Sequence, residues 1–176
     1  MDDMDRLLAE ISALDKKLPP VADWHPERNT AMDIRIDCNG QWFHEGDIIS
    51  RHEMARLFSS ILRKDPDGYC LVTPVERCLI QVDDVPFVAH LESVQGNADQ
   101  QEIFMRTNMD DLVRIDADHP LRMKQYAGSH VPYIRVRAEL EARVDRAAYY
   151  QLVNCMSERG GASGLMSAGS FFVMGA

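Results

Sequence analysis

Six histidines, four cysteines and 28 carboxylates supply the groups that hydrolytic, metal or redox chemistry needs, so spacing decides what they do. His25, His44, His52, His90, His119 and His130 form no H-x-H or H-E-x-x-H pair, the spacings that aim two imidazoles at one metal. No G-x-S-x-G elbow, Walker A loop or G-x-G-x-x-G turn occurs, so no nucleophile and no phosphate-cradling loop stands out. Cys38, Cys70, Cys78 and Cys155 are scattered without a C-x-x-C pair, which fits reduced packing residues rather than zinc ligands or redox thiols. Glu139 with Glu141, or Asp83 with Asp84, are formal acid/base pairs, but neighbouring carboxylates of this kind are usually solvated turn or strand faces. The expectation is a protein that is not an enzyme, with no metal and no cofactor.

The arginines are the better clue. The 19 basic residues are fifteen Arg and only four Lys, and Arg is the side chain that grips phosphate or carboxylate through a planar fork. A GC-rich genome produces the same bias without any function, so position must separate the two readings. Between residues 122 and 146, Arg122, Lys124, Arg135, Arg137, Arg143 and Arg146 stand against Glu139, Glu141 and Asp145, six cations to three anions in a protein of net charge -9. A strand over 133–137 sends Tyr133, Arg135 and Arg137 to one face and Ile134 and Val136 to the other. An aromatic ring beside two guanidiniums suits an anionic, ring-bearing ligand. The alternative is that these arginines pair with Glu139 and Glu141 across a domain interface.

The elements that hold these residues follow from pattern. A chain of 176 residues with 45% apolar and 27% charged residues has room for one or two folded domains and no stretch that reads as a membrane span. Its acidity disfavours broad binding to DNA or RNA, and the start lacks a secretory signal, so a cytoplasmic protein is expected. Residues 3–17 place Leu7, Leu8, Ile11, Leu14 and Leu18 on one helical stripe that stops at Pro19 and Pro20, and Trp24 anchors an extended connector. In DIRIDCNGQWFHEG, Asn39-Gly40 between alternating runs signals a two-residue type I′ hairpin. That register pairs Cys38 with Gln41, Asp37 with Trp42, Ile36 with Phe43 and Arg35 with His44. Ile36 and Phe43 then face the core, and Arg35, Asp37, Trp42 and His44 share the other face, where a domain or a ligand must cover the indole.

Residues 50–63 read as a helix with a Ser50/Glu53 capping box and a Met54, Leu57, Phe58, Ile61, Leu62 stripe. Strands are expected at 69–73, 75–82, 85–94, 102–107 and 132–137, while 109–130 follows no period. A second helix starts at Asp145 with Tyr149, Leu152, Val153 and Met156 on one face, and residues 167–174 return as a strand of unknown pairing. Ile34-Arg35-Ile36 and Ile134-Arg135-Val136, each followed by a helix, hint at an internal duplication.

The runs IRIDCNGQWFHEG, RLFSSILRKDPDGYCLVTPVE, VDDVPFVAH, FMRTNMDD and PYIRVRAELEARVDRAAYYQLV closely resemble a bacterial domain-of-unknown-function family, number 1285, over roughly residues 20–174. The resemblance implies an α+β fold of two small β-rich domains related by an internal repeat, each with a packed helix, the second loosely similar to a pleckstrin-homology barrel. The expected division is 1–18 for the N-terminal helix, 19–82 for the first α+β domain and 83–176 for the second β-rich domain with the C-terminal helix. It also implies a nucleotide-like small molecule bound between the domains and a role in signal transduction. Around Leu165 and Met166 the chain lacks the tryptophan expected of the family, which weakens any stacking role for that tail. The candidate ligand-binding residues are Arg35, Trp42, His44, Arg135 and Arg137, joined by Thr73, Glu76, Thr107 and Asn108 as polar groups at strand ends. In the bland alternative Thr73 and Asn108 close turns and Glu76 neutralises an arginine. The competing function is a protein-interaction module, with a protein partner or a second copy of the chain in place of a small ligand.

Overall fold

A computed structural model describes residues 2–12 and 18–175, which divide into two compact units, Met1–Asp84 and Val85–Ala176. Among the described residues no helix is long and apolar enough to cross a membrane.

Unit 1 opens with α1 (Asp3–Ser12) and a 3-10 turn at Val21–Asp23. It continues with β1 (Arg28–Ile36), β2 (Trp42–His44), β3 (Asp47–Ile48), α2 (His52–Ser60), β4 (Leu62–Asp65), β5 (Gly68–Val72) and β6 (Glu76–Val82). The sheet order is β3-β2-β1-β6-β5-β4, two antiparallel meanders joined by a parallel β1/β6 pair at the centre. Ile34, Ile36, Trp42, Phe58, Ile61 and Leu71 form the buried interior.

Three local expectations for this unit change. The stripe of α1 buries Leu7 and Ile11, but Leu18 is 59% exposed, and Leu14 lies outside the described residues. The α2 helix starts later than its motif suggests: Arg51 is the N-cap, with no side-chain capping bond, so the Ser50/Glu53 box does not form. It also ends earlier, because Leu62 leaves the helix to pair with Leu71 in β4/β5, where its side chain is buried. Sheet pairing and burial outweigh the modest helical preference of one leucine.

Unit 2 comprises β7 (Phe87–Gln95), a 3-10 turn at Ala98–Gln100, β8 (Glu102–Thr107), β9 (Leu112–Arg114), β10 (Leu121–Tyr126), β11 (Ser129–Arg137) and β12 (Leu140–Val144). These are followed by α3 (Arg146–Val153), β13 (Ser157–Arg159), β14 (Ala162–Ser167) and β15 (Ser170–Gly175). Its main sheet runs β10-β11-β12-β7-β8-β9, again two meanders whose first and last strands, β7 and β12, are parallel neighbours. The segment 109–130 that followed no period holds β9 and β10.

The two units therefore share one strand plan, β1–β6 against β7–β12. The Ile-Arg-aliphatic echo does not mark it: Ile34–Ile36 ends the first strand of unit 1, whereas Ile134–Val136 lies in the fifth of unit 2. Alternation in any half-buried strand generates such a triplet.

Asp145 caps α3 as expected, accepting the Ala148 N–H at 2.7 Å. The helix stops at Val153, so Met156 falls outside it, and Ala148 and Leu152 are its buried residues while Val153 is 42% exposed. The tail strand β15 finds its partner in β14. There a Cβ on Gly164 would stand 2.2 Å from the Phe172 carbonyl oxygen, so only glycine permits that approach. The buried Ser167 hydroxyl ties this small sheet to the rest of the unit, donating to Ile115 O at 2.6 Å and accepting the Ile103 N–H at 3.0 Å.

Candidate functional site

The hairpin that carries three candidate residues is one residue out of the expected register. Asp37 O accepts the Gly40 N–H at 3.0 Å, and the Asp37 N–H reaches Gln41 O at 2.9 Å, leaving Cys38, Asn39 and Gly40 as a three-residue loop. Gly40 has φ +76, while Asn39 is not among the residues with positive φ, as a type I′ turn would require. The Asp37 carboxylate explains the choice. Its Oδ1 accepts the N–H groups of both Asn39 and Gln41 at 2.9 Å, which fixes a type I turn followed by a glycine bulge.

The pairs are consequently Ile34 with His44, Arg35 with Phe43, and Ile36 with Trp42. A one-residue slip exchanges the faces. Trp42 turns inward, 2% exposed, and stacks on Phe58 with ring centroids 6.1 Å apart. Arg35 stays outside over the Phe43 ring, its Nε 3.0 and 3.1 Å from the two Asp83 carboxylate oxygens. That contact holds the Asp83 carboxyl below its usual range. His44 is half-buried opposite Ile34. The expected cluster of Arg35, Trp42 and His44 on one face does not form.

Thr73 and Glu76 come together at the β5/β6 turn, both fully buried. The Thr73 hydroxyl accepts the N–H groups of Val75 at 3.2 Å and Glu76 at 3.1 Å, closing the turn. The Glu76 carboxylate is clasped by Arg6 of α1, with Nη2 3.0 and 3.1 Å from its two oxygens, and Arg28 Nε stands 3.5 Å away.

A second threonine turn follows β8 in unit 2. The buried Thr107 hydroxyl accepts the N–H groups of Met109 and Asp111 and donates to Asp111 Oδ2 at 3.2 Å, and Arg137 Nη1 reaches the same oxygen at 3.1 Å. Asn108 brackets β7, accepting the Val88 N–H on its side-chain oxygen at 3.1 Å and donating its own N–H to Val88 O at 2.8 Å. Thr107 and Arg137 thus meet through Asp111, a residue that sequence reasoning passed over. A carboxylate four residues beyond a strand-end threonine was the only available signal.

Arg137 does not share a face with Arg135. The β11/β12 register shifts between them, so that Arg135 opposes Glu141 and Arg137 opposes the buried Leu140. The bulge absorbs one residue and reverses the alternation. Arg137 accordingly lies over the buried Phe87 ring at 5.2 Å.

Arg135 remains with Tyr133, and cross-strand pairing surrounds that ring with cations. Tyr133 opposes Arg122 on β10 and Arg143 on β12, and Lys124 lies on the same face of β10. Tyr133 is 2% exposed, with the Lys124 ammonium 5.2 Å above its ring, and Arg143 stacks 4.0 Å over Tyr126. Glu141, which binds Lys124, is the one carboxylate that these three strands place on the face. The guanidiniums of Arg122 and Arg135 meet no carboxylate among the described residues.

A different arginine cluster, in unit 1, was not singled out from sequence. Arg63 Nε donates to Asp65 at 2.7 Å and its Nη1 to the carbonyls of Val21 and Trp24 at 2.7 and 2.8 Å, while Arg77 Nε reaches Asp65 Oδ2 at 2.7 Å. The Arg63 guanidinium above all, with Arg77, draws the Asp65 carboxyl down to about 2. Burial pushes the adjacent Cys70 thiol up to about 11, so it is an unreactive packing residue. Among the described residues no three His, Cys, Asp or Glu side chains converge as a metal site requires.

Comparison with known proteins adds the family. A model described as Domain of unknown function (DUF1285), N-terminal domain, matches residues 19–85, and one described as Protein of unknown function (DUF1285), C-terminal domain, matches residues 86–174. The chain belongs to the DUF1285 family. A solved DUF1285 protein from Silicibacter pomeroyi DSS-3 is 42% identical, with 96% of this chain and 94% of that one covered at a TM-score of 0.89. A second DUF1285 structure, from Shewanella baltica OS155, is 26% identical over 70% of this chain and 91% of its own, with a TM-score of 0.52. None of the curated proteins matches the chain. Within the DUF1285 frame, Arg35, Trp42, His44, Thr73 and Glu76 fall in the N-terminal domain and Thr107, Asn108, Arg135 and Arg137 in the C-terminal one, whereas α1 precedes both.

Proposed function

We propose that this DUF1285 protein is a non-enzymatic binding protein for a small anionic, nucleotide-like ligand, acting in cytoplasmic signalling, and that the β10–β12 face of unit 2 receives the ligand. One observation carries the reading: four cations, Arg122, Lys124, Arg135 and Arg143, gather around Tyr133 on a face with one carboxylate, in a protein of net charge -9. Like charges placed together repel unless an anion joins them, and two of these guanidiniums keep their donors for one. Tyr126 and Tyr133 hold the Arg143 and Lys124 heads by cation–π contact, which lowers the entropy lost when a ligand binds. A loosely pleckstrin-homology-like build of unit 2, strands followed by a helix, belongs to the same reading.

The test is a panel of nucleotides followed by thermal shift and confirmed by calorimetry. At least one should raise the melting midpoint, since a ligand selective for the native state stabilises it. Arg135→Met should then weaken that ligand at least tenfold with the fold intact. A flat response across the panel favours the protein-interaction module instead.

A further inference from the structure

The α1 helix sits on unit 1 as a ligand sits on a receptor. Short amphipathic helices draw most of their stability from tertiary packing of their apolar face rather than from propensity, so α1 owes its order to docking. It buries Leu7 and Ile11, one turn apart on the same stripe, beside α2. Arg6, next to Leu7, delivers a two-oxygen clasp to Glu76, whose side chain has no exposure. The receiving surface belongs to the family domain, which spans residues 19–85 and contains Glu76, α2 and the whole sheet, while α1 lies outside it.

The fit has one fault. Glu10, four residues after Arg6, holds a buried carboxylate oxygen, Oε2, that meets no hydrogen-bond partner among the described residues. Arg6 is the natural i, i+4 partner, but its guanidinium is committed to Glu76 and to Asp3 at 3.0 Å. A buried carboxylate oxygen without a donor opposes docking. A helix with the same Arg and aliphatic residues, but with an apolar residue at the place of Glu10, would fit better.

We infer that unit 1 carries a helix-docking groove for an amphipathic partner helix that presents an arginine to Glu76, aliphatic side chains one and five residues later, and no carboxylate at the fourth. α1 is the built-in, weaker occupant that holds the groove until such a helix displaces it.

Two experiments on the full chain decide this. Glu10→Leu should slow amide hydrogen exchange across residues 3–12 by roughly tenfold, because it removes the unsatisfied group while Leu7, Ile11 and Arg6 stay in place. A fluorescein-labelled peptide of residues 1–18 carrying the same change, titrated into the wild-type chain, should bind by anisotropy and speed exchange in the chain's own α1. Arg6→Ala in the chain should lower the peptide concentration needed, and Arg6→Ala in the peptide should abolish binding. The inference is overturned if Glu10→Leu leaves α1 exchange unchanged. It is equally overturned if the peptide fails to bind, or binds without releasing α1.

Discussion

Arginine plays opposite parts in unit 1 and on the β10–β12 face of unit 2. In unit 1, Arg63 and Arg77 close on Asp65, Arg6 closes on Glu76 and Arg35 on Asp83, so that each guanidinium's charge is answered where the chain folds. On the β10–β12 face of unit 2, four cations gather around Tyr133, and the one carboxylate these strands add, Glu141, is taken by Lys124. The same residue type is structural where a carboxylate completes it and available for binding where none does. Composition cannot separate these cases, because the Arg excess is a property of the whole chain.

The contrast predicts a ranked set of losses. Arg63→Met should destabilise most, by about 3 kcal/mol in urea unfolding, since it strips a partly buried Asp65 of its main partner and takes a charged donor from the Val21 and Trp24 carbonyls. Next comes acid. The Asp65 carboxyl lies at about 2 against an ordinary 3.8, a depressed folded value, so its stabilisation is complete above about pH 4 and is lost as pH falls through about 2. Unfolding between pH 5 and 2 should show about 2 kcal/mol lost in this window, and Asp65→Asn should remove that part of the pH dependence.

Arg137→Met should cost about 1 kcal/mol, reflecting its Asp111 bridge and its contact with Phe87 at the edge of the interior. Arg135→Met should move stability by no more than about 0.5 kcal/mol in the same assay while abolishing ligand binding. If Arg135→Met proves as damaging as Arg63→Met, the division between structural and available arginines fails.

Much of the fold was legible in the sequence because period-2 alternation is local: the strands at 76–82, 87–95 and 102–107 lie within a residue or two of expectation. Asp145 announced α3 through a capping bond that needs only its own helix. What misled were places where a distant or competing partner decides. Asn39-Gly40 looks like a type I′ turn until the Asp37 carboxylate takes two backbone donors and selects a longer loop, and that one residue sends Trp42 inside. Leu62 has helical company in sequence but a strand partner in space. The candidate site divides in the same way. The excess charge of residues 122–146 was visible, since it sits in consecutive strands. The separation of Arg137 from Arg135 was not, because a bulge depends on how β12 pairs rather than on any residue of β11.

The parallel pair at the centre of each sheet also sets how the units bear load. In unit 1 the chain enters this pair at Arg28, opposite Glu76, and leaves it at Val82, opposite Ile36. Tension on the chain therefore pulls β1 and β6 from opposite ends of their shared ladder and stretches its rungs together, in shear, instead of opening them one after another like a zip. The β7/β12 pair repeats the arrangement, entered at Phe87 opposite Ala142 and left at Val144 opposite Ala89. Each main sheet thus meets tension along its strongest direction, but α1 must come away before load reaches β1, and α3 and β13–β15 stand between β12 and the C-terminus and must yield first to an unfoldase that drags there.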